Sequence, residues 1–371
     1  MILLSSILKS FEAEFLQQYQ NQILPSHRKA LAAMKICRSR QSPKILMGCQ
    51  ECDHQILVPH SCGHRNCPHC QAHESQQWLE RQINKQVPAE YFLVTFTLPA
   101  EFRPLAWSHQ RKVYSAMIQC SWETLRTFSQ NDKQLQGTAG AIAVLHTHSR
   151  RLDFHPHVHV IIPAAAIDRV KRLWRTKKTT AKNKNGYLFS HKALAKVFRA
   201  KMLETITQAG LTLPEKHPTA WVVDCKSVGS GEKALVYLGR YLYRGVIQEK
   251  DIIACEKGTV TFRYQNAKTK KTEYRSERGE NFLWLNLQHV LPKGFRRARN
   301  FGFLHPNSKR LIQLLQVVLK LDPTRALSWV RKRPALTCRE CGAQMKILKT
   351  QIPPLFPWTL EWPTGLWTGD F

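Results

Sequence analysis

The stretch Arg151-Leu-Asp-Phe-His-Pro-His-Val-His-Val160, followed by Ile161-Ile162, sets three histidines two residues apart. Side chains alternate across a β-strand, so His155, His157 and His159 share one face while Val158 points to the other. Imidazoles aligned in this way are nitrogen donors for a divalent cation, although two histidines on a strand are also compatible with ordinary hydrogen-bonded side chains. Residues 140–148 read as a second strand, and the residues around Asp153 as a turn, so a hairpin is expected. The hairpin makes His146 the favoured third ligand beside His157 and His159, with His155, His148 and His289 as alternatives.

Working outward, Tyr91-Phe-Leu-Val-Thr-Phe-Thr-Leu98 alternates, is rich in β-branched and aromatic residues and stops at Pro99, which predicts a strand. Shorter strands are expected at 219–223 and 259–264. Helical periodicity marks residues 8–35, 107–128, 193–209 and 233–243. The last of these lies in Gly231-Glu-Lys-Ala-Leu-Val-Tyr-Leu-Gly-Arg-Tyr-Leu-Tyr-Arg-Gly245. There Tyr237 and Tyr241 are four apart and project from one helix face, Lys233 lies one turn earlier, and Arg240 and Arg244 form a basic row alongside. Taken alone, the pair also fits tyrosines half-buried against a core. Beside a histidine metal site and a large positive charge, it fits nucleophiles that attack a DNA phosphodiester.

The chain carries 56 Lys and Arg against 26 Asp and Glu, a formal net charge of +30, which points to a polyanionic partner. Basic clusters run from Arg169, Lys268, Gly294 and Val330; in the third, Arg296, Arg297 and Arg299 are candidate phosphate contacts together with Lys233, Arg240 and Arg244. No amphipathic membrane helix, lipidation signal or spanning run is evident, and the first fifteen residues make a poor secretory signal, so a cytoplasmic protein is expected. Eleven cysteines in a reducing compartment suggest metal rather than disulfides where they cluster. Cys49-Gln-Glu-Cys52 and Cys67-Pro-His-Cys70, with fourteen residues between them, have the spacing of one tetrahedral zinc site. Cys37, Cys62, His64, His69 and His73 could form a second site or replace a ligand. Cys338-Arg-Glu-Cys341 is either a metal half-site lacking partners or two ordinary thiols. Cys120, Cys225 and Cys255 read as core residues, and the segment from Pro353 as an irregular Pro/Trp-rich tail.

The order of SCGHRNCPHCQ, YFLVTFTLP, LHTHSRRLDFHPHVHVIIP, YLGRYLYR and QHVLPKGFRRARNFG resembles the two-tyrosine HUH transposases of the IS91 (insertion sequence ninety-one) family over roughly residues 10 to 345. The resemblance implies an α+β fold in which a small zinc-ribbon-like module precedes an HUH nuclease domain with an antiparallel central sheet flanked by helices. It implies His157 and His159 as ligands of Mg²⁺ or Mn²⁺, and Tyr237 and Tyr241 as nucleophiles. Relatives often carry Arg-His before the third zinc cysteine, where this chain has Arg65-Asn66 with His64 displaced. The expected segments are 1–85 for the N-terminal helix and zinc module, 86–315 for the nuclease, and 316–371 for a basic C-terminal segment. The implied activity is rolling-circle transposition, in which single-stranded DNA at the element ends is nicked and rejoined through a 5′-phosphotyrosine. No GxxxxGK[ST] loop is present, so unwinding is expected to fall to a host helicase. The alternatives are a plasmid-type HUH replication initiator or relaxase, and a zinc-dependent DNA-binding protein without catalysis.

Overall fold

The computed structural model describes residues 2–168, 170–178, 188–243, 245–266, 269–321 and 336–352. The chain divides into two compact units, Met1–Lys35 with Gly63–Lys332, and Ile36–Cys62 with Arg333–Phe371. The architecture is α+β, with every strand pairing antiparallel.

In the larger unit a five-stranded sheet runs in the order Ala298–Phe301, Ala141–His148, Phe154–Pro163, Tyr91–Thr97, Val223–Ser227. The histidine strand, Phe154–Pro163, is central, and both of its neighbours are strands read from the sequence. Its alternation divides the molecule into layers. Val158, Val160 and Ile162 enter a core shared with helices Gln110–Asn131 and His191–Gln208. On the opposite face, Ile161, Val144 and Leu93 pack with Leu235, Leu238 and Leu242 of the helix Glu232–Tyr243, here the tyrosine helix. Fully burying one such aliphatic side chain contributes about 1.5–3 kcal/mol, so two apolar faces hold this strand's register firmly.

The tyrosine helix begins where Gly231 adopts φ +82°, a left-handed conformation that avoids side-chain strain. A Cβ at Gly231 would also meet the Tyr91 ring at 2.7 Å. Some expectations needed revision. Residues 8–35 form two helices, Leu4–Tyr19 and Pro25–Lys35, because proline is favoured in a first turn and not within a helix. The strand expected at 219–223 begins only at Val223 and runs to Ser227. Two further three-stranded sheets were not read as such: Ile252–Glu256, Thr259–Gln265 and Thr272–Arg278; and Thr138–Ala139, Ala165–Asp168 and Leu173–Thr176. The cluster from Val330 to Pro334 and the tail from Pro353 lie outside the described residues.

The smaller unit is a three-stranded sheet in the order Met345–Ile352, Lys44–Cys49, Gln55–Pro59. This division departs from the three consecutive segments expected from the sequence. The C-terminal strand pairs with Lys44–Cys49, so residues 36–62 and 333–371 form one body and the first helices belong to the other. Pairing between segments so distant along the chain leaves no local signal.

Candidate metal centre and tyrosine helix

Cross-strand register builds the histidine site. His146 lies opposite His157, while Val144 and Thr95 flank His159 on its two sides. One nitrogen from each of His146, His157 and His159 can be chosen so that all three lie within 4.8 Å of one another. The ring centroids are 4.5 to 5.2 Å apart. Two rings are oriented from behind. The Nδ1–H of His157 donates to the His155 carbonyl oxygen at 2.7 Å, and Nδ1 of His159 is hydrogen-bonded to the Thr95 hydroxyl at 2.9 Å. Bonds of this kind fix ring orientation and direct Nε2 forward, as in metal-ligating histidines.

Burial keeps the rings neutral. Desolvation depresses His157 to about 4 and His159 to about 3, the latter aided by the neighbouring His157 charge. The same cause carries His146 well below the ordinary imidazole value, with His159, His157 and Arg297 adding to it. Three neutral imidazoles on a rigid sheet are a donor set suited to a divalent first-row ion.

The other candidates are engaged elsewhere. His155 accepts at Nδ1 from the Arg103 guanidinium at 2.9 Å. His148 stands against His289, and His289 donates from Nε2 to the Leu152 carbonyl at 3.0 Å.

The tyrosine helix passes above this site. The Tyr237 ring lies 6.2 Å from that of His159 and 6.5 Å from that of His146, and is 36% exposed. Its exposed side opens onto a cleft of about 350 Å³ that also reaches Arg150, Phe262, Arg263 and Tyr264. Arg263 is paired with Asp251 at 3.0 Å and Arg150 bonds the Gln265 side chain at 3.1 Å. Lys233 is exposed at the start of the helix. The side chains of Arg240, Tyr241 and Tyr243, and the whole of Arg244, lie outside the described residues. In the third basic cluster, Arg296 is exposed, whereas Arg299 donates to Ser115 at 3.0 Å and lies 5.5 Å from the Phe295 ring. Arg297 donates to the Leu145 carbonyl at 3.4 Å, next to His146. The sequence reading passed over Thr95, Arg150 and Arg263. Thr95 is one polar residue in an alternating strand, and only the register reveals that it faces His159.

The cysteines require a correction. Cys49 and Cys52 do not share a site with Cys67 and Cys70: their thiols gather with those of Cys338 and Cys341, all four within 4.8 Å. The spacing misled because CxxC pairs that are adjacent in sequence need not be adjacent in the fold. Cys67 and Cys70 belong to the larger unit, where the Cys70 N–H donates to the Cys67 carbonyl at 3.3 Å.

Residues 140–311, which carry the histidine strand and the tyrosine helix, match a family model described as "Putative transposase"; residues 7–98 match one described as "Transposase zinc-binding domain", of the IS91 type. Both matched segments are thus similar to transposases, the N-terminal one to those of the IS91 type. The chain is 29% identical over 302 residues to "Putative transposase y4qJ" of Sinorhizobium fredii, covering 75% of this chain and 74% of that protein. It is 26% identical over 279 residues to the transposase for insertion sequence element IS801 of Pseudomonas savastanoi pv. phaseolicola, covering 69% and 64%. Among solved structures, the conjugative relaxase TrwC in complex with OriT DNA aligns at 14% identity over 62% of this chain and 72% of that one, with a TM-score of 0.27. TrwC with a 27-mer DNA aligns at 13% over 62% and 74%, with a TM-score of 0.26. Among the described residues, no helix is long and apolar enough to cross a membrane.

Proposed function

We propose that this chain is a transposase that nicks and rejoins single-stranded DNA at the ends of its element by an HUH rolling-circle mechanism, through a covalent 5′-phosphotyrosine. One observation carries the reading: three neutral imidazoles converge within 4.8 Å, with the Tyr237 ring 6.2 and 6.5 Å from two of them. His146, His157 and His159 would hold a divalent ion, Mg²⁺ or Mn²⁺, which when bound supplies Lewis-acid polarisation of the scissile phosphate. Tyr237 attacks phosphorus through its phenol oxygen; the bond to the 3′ oxygen breaks, and the loss of the phenol proton is balanced by protonation of the departing 3′ oxygen to give a 3′ hydroxyl. The ester energy is retained in the phosphotyrosine, so a 3′ hydroxyl can reverse the step without ATP. Tyr241, four residues on, is the second nucleophile, for a second cleavage while the first tyrosine is occupied. Arg150, Arg263 and Lys233 line the approach of the phosphate backbone. Target DNA and a host helicase are the further partners of this scheme, at work on the nucleoid in the cytoplasm.

Zinc belongs to the N-terminal region, and the matched segment contains Cys67 and Cys70.

The test is incubation with single-stranded oligonucleotides from the element ends and Mg²⁺ or Mn²⁺. A covalent protein–DNA adduct is expected, mapped by mass spectrometry to Tyr237 or Tyr241, and absent from the double Phe variant. An adduct that persists in the double variant would refute the assignment.

A further inference from the structure

Among the described residues, the smaller unit's hydrophobic cluster is small: Cys49, Cys338 and Met345 are buried in it, supported by half-buried Met47, Cys52, Ile56 and Ala343. Along Met345–Ile352, six consecutive residues after Met345 are exposed. Sheets this small need a disulfide, a metal or a partner to hold them together. The cysteines here are free thiols.

Those thiols have the dimensions of a metal cage. Cys49 and Cys341 Sγ are 3.4 Å apart, Cys52 and Cys341 3.6 Å, and Cys52 and Cys338 3.7 Å. A tetrahedron with Zn–S bonds of ~2.3 Å has S···S edges of about 3.8 Å, whereas a disulfide needs about 2.05 Å. The two CxxC turns are also built alike. The Cys49 N–H donates to the His54 carbonyl at 2.9 Å and the Cys338 N–H to the Ala343 carbonyl at 2.7 Å, the same five-residue step in each. The first turn adds a bond from the Glu51 N–H to Cys49 Sγ at 3.4 Å; the second turns through Gly342 at φ +73°. A bond from the Gln50 N–H to the Gln344 carbonyl at 3.3 Å joins the two turns. Two matching knuckles, each presenting two sulfurs to a common centre, form a closed four-thiolate site.

We infer that Cys49, Cys52, Cys338 and Cys341 bind one structural Zn²⁺, and that this ion fastens the C-terminal strand to the strand Lys44–Cys49. All-thiolate ligation selects zinc and disfavours the hard ions Mg²⁺ and Mn²⁺. Two of its ligands, Cys49 and Cys52, lie within the matched residues 7–98, and the other two, Cys338 and Cys341, some 290 residues downstream. The inference is independent of the nuclease reading, because it concerns other residues and a different metal.

Two measurements on the full-length chain test it. Elemental analysis of Cys338→Ser/Cys341→Ser should show one zinc equivalent per chain less than the unaltered protein, and Cys341→His should restore it; equal zinc content in the double variant and the parent would overturn the proposal. Should the double variant not fold, the unaltered protein is treated with iodoacetamide before and after a chelator, with peptide mapping. Cys49, Cys52, Cys338 and Cys341 should all resist alkylation and become reactive together when zinc is withdrawn. Rapid alkylation of exposed Cys341 with zinc retained would overturn it.

Discussion

The two candidate metal-ligand clusters are organised in opposite ways. The histidines stand on the central strand of a five-stranded sheet with an apolar core on each face, so their positions are set before any ion arrives. The thiols lie beside a small sheet whose hydrophobic cluster, among the described residues, buries only Cys49, Cys338 and Met345, so there a bound ion would supply much of the order. A site that activates a phosphate gains from rigid ligands already in place; a site that fastens two chain segments gains from a strong, closed cage.

The sharpest way to break the comparison is to remove ligands from the preformed site. His157→Ala/His159→Ala should lower adduct formation by about 10³-fold or more, since Lewis-acid stabilisation is worth several kcal/mol and ~1.4 kcal/mol is tenfold. Single-stranded DNA binding and its salt dependence should persist, and parallel loss of both would count against the metal role. Next comes the platform. Ile162→Ala, at a fully buried position, should destabilise the larger unit by about 2–5 kcal/mol in denaturant titration, leaving zinc content unchanged. A smaller value would mean that the core is not what holds the histidine strand.

Acid probes another buried contact of the larger unit. His27 is buried against Trp107 and Trp284, and desolvation lowers it to about 4 from 6.5. Between those values the unfolded chain binds the proton more readily, so stability falls as pH drops from about 6.5 to about 4 and the loss is complete below. With ~1.4 kcal/mol per unit, the His27 share is about 3 kcal/mol. His27→Leu should flatten the acid limb of a stability-versus-pH curve by about that amount, and an unchanged limb would refute the neutral buried state. Thr95→Val removes only the hydroxyl behind His159. Metal affinity should weaken by about 10–100-fold, with thermal stability near that of the parent; equal affinity would mean that the sheet alone orients the ring. The smallest effect is expected at Tyr243. Ideal helical spacing of ~3.6 residues per turn sets position 243 about 120° around the axis from position 237, so Tyr243→Phe should form adduct and transpose like the parent, whereas DNA found on Tyr243 would break the paired-nucleophile helix.

The sequence by itself determined whatever is local. Alternation in RLDFHPHVHV put His157 and His159 on one face, and the hairpin signal around Asp153 led to His146. The period of GEKALVYLGRYLYRG placed Tyr237 one turn from Tyr241, and the basic excess pointed to nucleic acid. These features repeat with the period of a strand or a helix, or add up regardless of order. Only the tertiary structure decided which residues meet across strands and across the length of the chain. Thr95 reaches His159 through a register that no single strand specifies. Arg150 and Arg263 share a cleft with Tyr237 from separate elements. Cys49 and Cys52 find their partners at Cys338 and Cys341 rather than eighteen residues downstream at Cys67 and Cys70. Local pattern fixes the direction of a side chain, but contact between distant segments follows from how the whole chain buries its apolar surface and gathers its ligands.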